Sequence, residues 1–128
     1  MGDANAALAR FLRAEQAPES FHHRDHLAVA HAMLGLMPLA DAGPLYARGL
    51  KAIAGRAGRP QAFHETLTVA YLALIAERIA EGPGADFAGF LKANPDLEDP
   101  AILGRWYEAP RLNSDLARRQ FILPSPRA

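Results

Sequence analysis

The five histidines of this 128-residue sequence fall into two groups, His22, His23, His26 and His31 first, and then His64, which Glu65 follows directly. Imidazole and carboxylate donors without sulfur suit Zn, Mn, Fe or Ni, and the chain has no cysteine. The same absence removes disulfides, thiolate nucleophiles and iron–sulfur clusters from consideration. His23 and His26 stand three residues apart and His22 and His26 four apart, so on a helix either pair shares one face. With residues 21–37 wound as a helix, His22, His23 and His26 turn into the apolar arc of Leu27, Ala30, Met33, Leu34 and Met37. His31 falls at the rim of that arc, and Arg24 and Asp25 point away from its centre.

In the longest apolar-periodic segment, 61–81, His64 projects from the middle of the apolar arc and Thr68 follows one turn later. Glu65 points between Val69 and Leu72, where a carboxylate needs a metal ion or an arginine beside it. Histidines from one helix facing His64 and Glu65 from another form the kind of constellation helical bundles use to hold metals. Three His ligands and an open position mark a catalytic site, since a closed structural zinc site has four protein ligands. On this reading His23, His26 and His64 hold a divalent metal, Zn first with Mn or Fe as alternatives, and His22 replaces or joins His23. Glu65 is the general base on a metal-bound water whose pKa the metal lowers to about 7, or else a fourth ligand. Asp25 orients a ligating ring, Thr68 stands behind the ligands, and Arg118 grips an anionic substrate group. Adjacent helical residues diverge by about 100°, which works against His64 and Glu65 reaching one ion.

The expected activity is hydrolysis of a small-molecule ester, phosphoester or amide. Three other readings stand beside it: a non-catalytic metal- or small-ligand-binding protein, a metal-free acid/base or ligand pocket, and histidines that make only core hydrogen bonds.

The elements that must position these groups are helices. Half of the residues are hydrophobic and 22% are charged, alanine is the commonest residue, and no bounded run alternates apolar with polar. The expectation is an all-α, single-domain bundle over 1–128, with about four main helices and short C-terminal ones. Asp3 caps a first helix to about residue 16, stopped by Pro18, and Pro38 ends the second. Asp41 caps a third, with Pro44 in its first turn, running to the Gly- and Arg-rich stretch 55–60; the fourth closes at Gly82-Pro83-Gly84. Asp86 caps a fifth to Asn94, Asp99-Pro100 opens one or two turns to Tyr107, and Ser114 starts a last short helix through Phe121.

Fourteen basic and fourteen acidic side chains cancel, leaving no field to hold a nucleic acid. No signal-peptide pattern opens the chain, and the longest nearly uncharged stretch, 27–47, is broken by His31, Gly35, Pro38, Asp41 and Pro44. A cytoplasmic protein with no membrane span is expected. Apolar faces on the first or third helix would serve a homodimer.

The runs F-H-H-R-D-H-L at 21–27, F-H-E-T-L-T at 63–68 and S-D-L-A-R-R-Q-F with L-P at 114–124 resemble a family of small uncharacterised bacterial all-helical proteins. Its pattern is F-x-H-x-x-H-L, then [YF]-H-E-T-[IL]-T, then S-x-x-A-R, and the likeness spans about residues 20–124. The resemblance places His23, His26, His64, Glu65, Thr66 and Thr68 in the shared pattern, makes His22 optional and leaves His31 outside it. Phe63 stands where the family is expected to have Tyr, so any hydroxyl contributed there is missing. The likeness implies no particular reaction.

Overall fold

A computed structural model describes residues 3–13, 18 and 21–125. The chain folds into α1 (Asp3–Leu12), α2 (His23–Leu36), α3 (Leu39–Arg56), α4 (Glu65–Glu81), α5 (Phe87–Ala93), α6 (Ala109–Leu112) and α7 (Asp115–Arg119). Turns of 3-10 helix at Pro60–Ala62, Pro95–Glu98 and Ile102–Arg105 connect them. No strand occurs among the described residues, so the fold is all-α as the sequence implies. None of these helices is long and apolar enough to cross a membrane. The expected last turn of the first helix, at 14–16, lies outside the described residues.

α4 is the hub. Tyr71, Leu72 and Ile75 are buried along it, and it packs against α2, α3 and α7. α2 supplies Leu27, Val29, Ala30 and Met33 to the same core. Phe11 of α1 lies 5.8 Å from the Phe21 ring and 5.7 Å from Tyr46, which joins α1, the entry to α2 and α3 through one aromatic cluster. At that junction α3 passes so close that a Cβ on Gly49 would stand 2.2 Å from the Phe11 ring, so only glycine fits.

α3 is the loosest of the long helices. Of its 18 residues only Ala42 and Tyr46 are buried, and Leu45, Leu50 and Ile53 are half-buried, the last two lining a cavity beside α4. It also starts earlier than expected. Asp41 and Ala42 donate their amides to the Pro38 carbonyl at 3.0 and 2.9 Å, so Pro38 is the N-cap and Asp41 sits in the first turn, where its charge suits the positive helix end.

Several punctuation marks act as read. Asp86 accepts the Gly89 amide at 2.8 Å, Ser114 accepts the Ala117 amide at 3.1 Å, and Asp99 accepts the Ala101 amide at 2.9 Å. The last helix ends at Arg119 instead of running through Phe121, with extended backbone at Gln120 and no regular element over 121–125. That segment is strapped to α4: Thr66 donates to the Gln120 carbonyl at 2.8 Å and accepts the Ile122 amide at 3.1 Å, while Tyr107 donates to the Ile122 carbonyl at 2.7 Å.

The expected helix over 61–81 is two pieces. Pro60 opens a single 3-10 turn, and the chain is extended at Phe63 and His64 before α4 begins. His64 is therefore a cap and not a helical residue, which changes what its ring does.

Candidate functional site

His64 has φ −136° and ψ 111°, and its Nδ1 accepts the Leu67 amide at 3.1 Å. With Nδ1 an acceptor, the ring proton sits on Nε2, which donates to the Leu112 carbonyl at 2.8 Å. Both nitrogens of this buried ring thus serve the backbone, one starting α4 and the other fastening α6. Thr68 donates to the His64 carbonyl at 2.8 Å, the local bond a threonine makes one turn into a helix.

His23 is half committed in the same way. Its Nε2 lies 2.9 Å from the Leu97 carbonyl and 3.0 Å from the Tyr71 hydroxyl, and Tyr71 donates to that same carbonyl. A carbonyl only accepts, so Nε2 carries the proton and Nδ1 is the remaining lone pair. His22 is exposed, at the N-cap of α2, where its backbone amide donates to Asp25 at 2.8 Å. Standing before the helix, it does not follow the helical arc. Asp25 closes the start of α2 through that bond. His31 lies against Phe90 and Phe87 at 4.8 and 5.6 Å between ring centroids, and burial there lowers its pKa.

Glu65 turns away from His64. It lines a cavity of about 610 Å³ together with Arg48 and Lys51 of α3, whereas His64 lines another of about 540 Å³. Thr68 borders both cavities and stands between them. His64 stands on extended backbone before α4 and Glu65 is its first helical residue, so the two neighbours face different cavities. Arg118 is exposed and donates to the Gln61 carbonyl at 3.1 Å, fastening α7 to the 3-10 turn. Of the expected site residues, the structure brings His23, His26, His64 and Thr68 to one cavity and leaves His22, Glu65 and Arg118 elsewhere. Among the described residues no three His, Asp or Glu side chains form a group able to hold a metal ion. The donor chemistry agrees with that: His64 has no free lone pair for an ion, and His23 offers only Nδ1.

The 540 Å³ cavity lies between α2, α3 and α4. Leu50, Ile53, Phe63 and Leu67 form apolar wall, and the polar residues His23, His26, Tyr46 and Tyr71 also line it. His26 differs from the other rings. It packs on Phe21 at 4.4 Å, lies 6.5 Å from His23, and makes no side-chain hydrogen bond to any described residue. Burial, then the neighbouring His23, push its pKa down to about 4 against a smaller upward pull from Asp25, so near pH 7 it is neutral. Tyr46 is buried with its hydroxyl 3.5 Å from the His26 carbonyl, longer than the roughly 2.5–3.0 Å of a well-made O–H···O bond. Burial raises the pKa of both tyrosines, helped at Tyr46 by Tyr71 and at Tyr71 by Glu98 and Asp96, so both remain protonated donors.

The cavity therefore presents one neutral imidazole and one weakly engaged phenol inside an apolar wall. Reading the sequence for histidine spacing finds His26 but not Tyr46. The available signal is that a tyrosine within the apolar face of a helix brings a hydroxyl that needs a partner. No family model, no curated protein and no solved structure matches the chain.

Proposed function

We propose that this protein binds a small, largely apolar molecule in the cavity between α2, α3 and α4, with His26 as the polar anchor and the Tyr46 hydroxyl as a second contact. The observation that carries this reading is the His26 imidazole, which lines an apolar cavity of about 540 Å³ without a side-chain hydrogen bond to any described residue. Small-molecule sites combine apolar walls with a few convergent polar groups in this size range. A hydroxyl on the ligand would give the half-buried His26 imidazole the hydrogen-bond partner that no described residue supplies.

The metal-dependent hydrolase expected from the sequence finds less support. Its ligand set needs a nitrogen from His64, which would cost the cap of α4 and, through Nε2, the bond to Leu112 as well, and its base, Glu65, lines the other cavity. Binding is also favoured over metal-free proton abstraction. A pKa of about 4 makes His26 a weak base at neutral pH, whereas general bases work best with a pKa near the working pH.

The test uses 4-propylphenol, which has an apolar body and one hydroxyl. Titration should raise the Tm, because the ligand binds only the folded chain, and shift the methyl resonances of Leu50, Ile53 and Leu67. His26→Phe, which keeps an aromatic ring in place, should weaken binding about three- to tenfold. No Tm rise together with unmoved methyl resonances would overturn the cavity as a ligand site, and unchanged affinity in His26→Phe would remove His26 as its anchor.

A further inference from the structure

The cavity has a charged edge that its interior does not explain. Among its described lining residues Arg59 is the one arginine, and no Asp, Glu or Lys joins it. Arg59 is exposed, so it stands where the cavity meets solvent, while His26 and Tyr46 lie deeper. Its side chain makes no hydrogen bond or ion pair with a described residue. Arg24, Arg78, Arg105, Arg111 and Arg118 all have such partners.

The backbone beneath this guanidinium is fixed. The Arg59 amide donates to the Ala54 carbonyl at 2.9 Å, and the Arg59 carbonyl accepts the Ala62 amide at 2.9 Å. Gly58, at φ 72°, supplies the left-handed residue that turns the chain out of α3, and Pro60 opens the next turn. Local geometry thus sets where the arginine starts.

We infer that the ligand is a monocarboxylate, with its carboxylate held by Arg59 at the rim, its apolar body against Leu50, Ile53, Phe63 and Leu67, and a hydrogen-bonding group toward His26. This rests on the ligand-site reading above and adds the class of molecule. A guanidinium fork matches one planar carboxylate through two parallel hydrogen bonds, and the adjoining apolar wall reduces the screening of that pair. One arginine balances one negative charge. A phosphate dianion would keep an unmatched charge beside apolar surface, and an ammonium would meet like charge at the rim.

The experiment compares 3-(4-hydroxyphenyl)propanoate with 4-propylphenol, which shares its ring and hydroxyl and lacks its carboxylate, by NMR titration of the full chain at pH 7 and low salt. The acid should bind about five- to tenfold more tightly, and the preference should shrink as salt is added. Arg59→Gln should bring the acid to the level of the phenol while leaving the phenol affinity and the unliganded Tm unchanged. If the phenol binds and the acid binds no better, or if the preference survives in Arg59→Gln, the carboxylate assignment is overturned and the ligand site stands. If neither compound binds, the ligand site itself fails and takes the carboxylate with it.

Discussion

Acidification should reveal His26 through stability before any ligand is known. The folded chain holds this ring at a pKa of about 4, against 6.5 when it is free of its surroundings. Above pH 6.5 neither state protonates it, and the packing of the neutral ring contributes in full. Between the two values the unfolded chain takes up a proton that the folded chain refuses, so stability falls as the pH falls. Near pH 4 the loss is complete. At about 1.4 kcal/mol per pKa unit, the gap corresponds to about 3 kcal/mol.

Other groups titrate over a wider range, and His31 moves in the same direction because burial lowers its pKa too. Asp96, held well below the usual carboxylate range chiefly by its hydrogen bond to Arg78, loses its contribution only as the pH falls below its ordinary value of 3.8. The useful quantity is therefore the difference between the wild-type chain and His26→Phe, measured by urea unfolding from pH 7.5 to pH 4. The wild type should lose about 3 kcal/mol more than the variant across that window. Parallel stability curves for the two chains would refute the argument, since they would mean that the folded His26 takes up its proton as freely as the unfolded one.

His64→Leu should destabilise by about 2–4 kcal/mol in thermal or urea unfolding, because it strands the Leu67 amide and the Leu112 carbonyl, while His64→Asn, which can still cap, should cost less. Treating the purified chain with a chelator should leave its Tm unchanged, since the nitrogens of His64 serve the backbone; a marked Tm loss restored by Zn would contradict this. Gly49→Ala, a change worth up to about 1 kcal/mol in favour of an open helix, should instead destabilise by about 1–3 kcal/mol through the Phe11 ring, as unfolding midpoints will record. Thr66→Val should cost about 1–2 kcal/mol and speed amide exchange at Ile122, which loses its acceptor.

The helical class and most element boundaries were legible because alanine content, apolar periodicity and the residues Pro38, Asp86 and Ser114 act locally. The structure brings His23, His26 and His64 of the histidine cluster to one cavity and leaves His22 at the surface. What sequence periodicity cannot supply is the role of a residue that stands just before a helix. A helical period puts His22 and His64 in apolar arcs, yet both are caps with extended backbone, so their directions follow from chain entry and not from the 3.6-residue period. Pro60 was the clue for His64: it opens a separate short turn and so breaks the segment that the apolar pattern joins. Tyr46, Tyr71 and Arg59 carried no spacing signal because each reaches the site from a different element, and only the packed fold sets them around one space.

The distinction between a ligand site and a packing fault follows from which nitrogens are free. A fault between α3 and α4 would be lined by apolar groups, would stay dry, and would place no demand on polar chemistry. The wall contributed by Leu50, Ile53 and Leu67 answers that description, but the imidazole of His26 does not. An uncompensated polar group in a dry fault would cost on the order of 1–3 kcal/mol, whereas the half-buried His26 stands on a cavity that reaches solvent at Arg59. Nearby, the half-buried His23 and the buried His64 show how this fold engages an inward imidazole, by aiming it at the carbonyls of Leu97 and Leu112. His26 is given no such carbonyl among the described residues, and the hydroxyl nearest its backbone, that of Tyr46, is itself only weakly engaged. Two incomplete hydrogen-bonding groups bordering one cavity are what a bound molecule would complete, and that cavity opens toward an arginine that has no protein partner among the described residues.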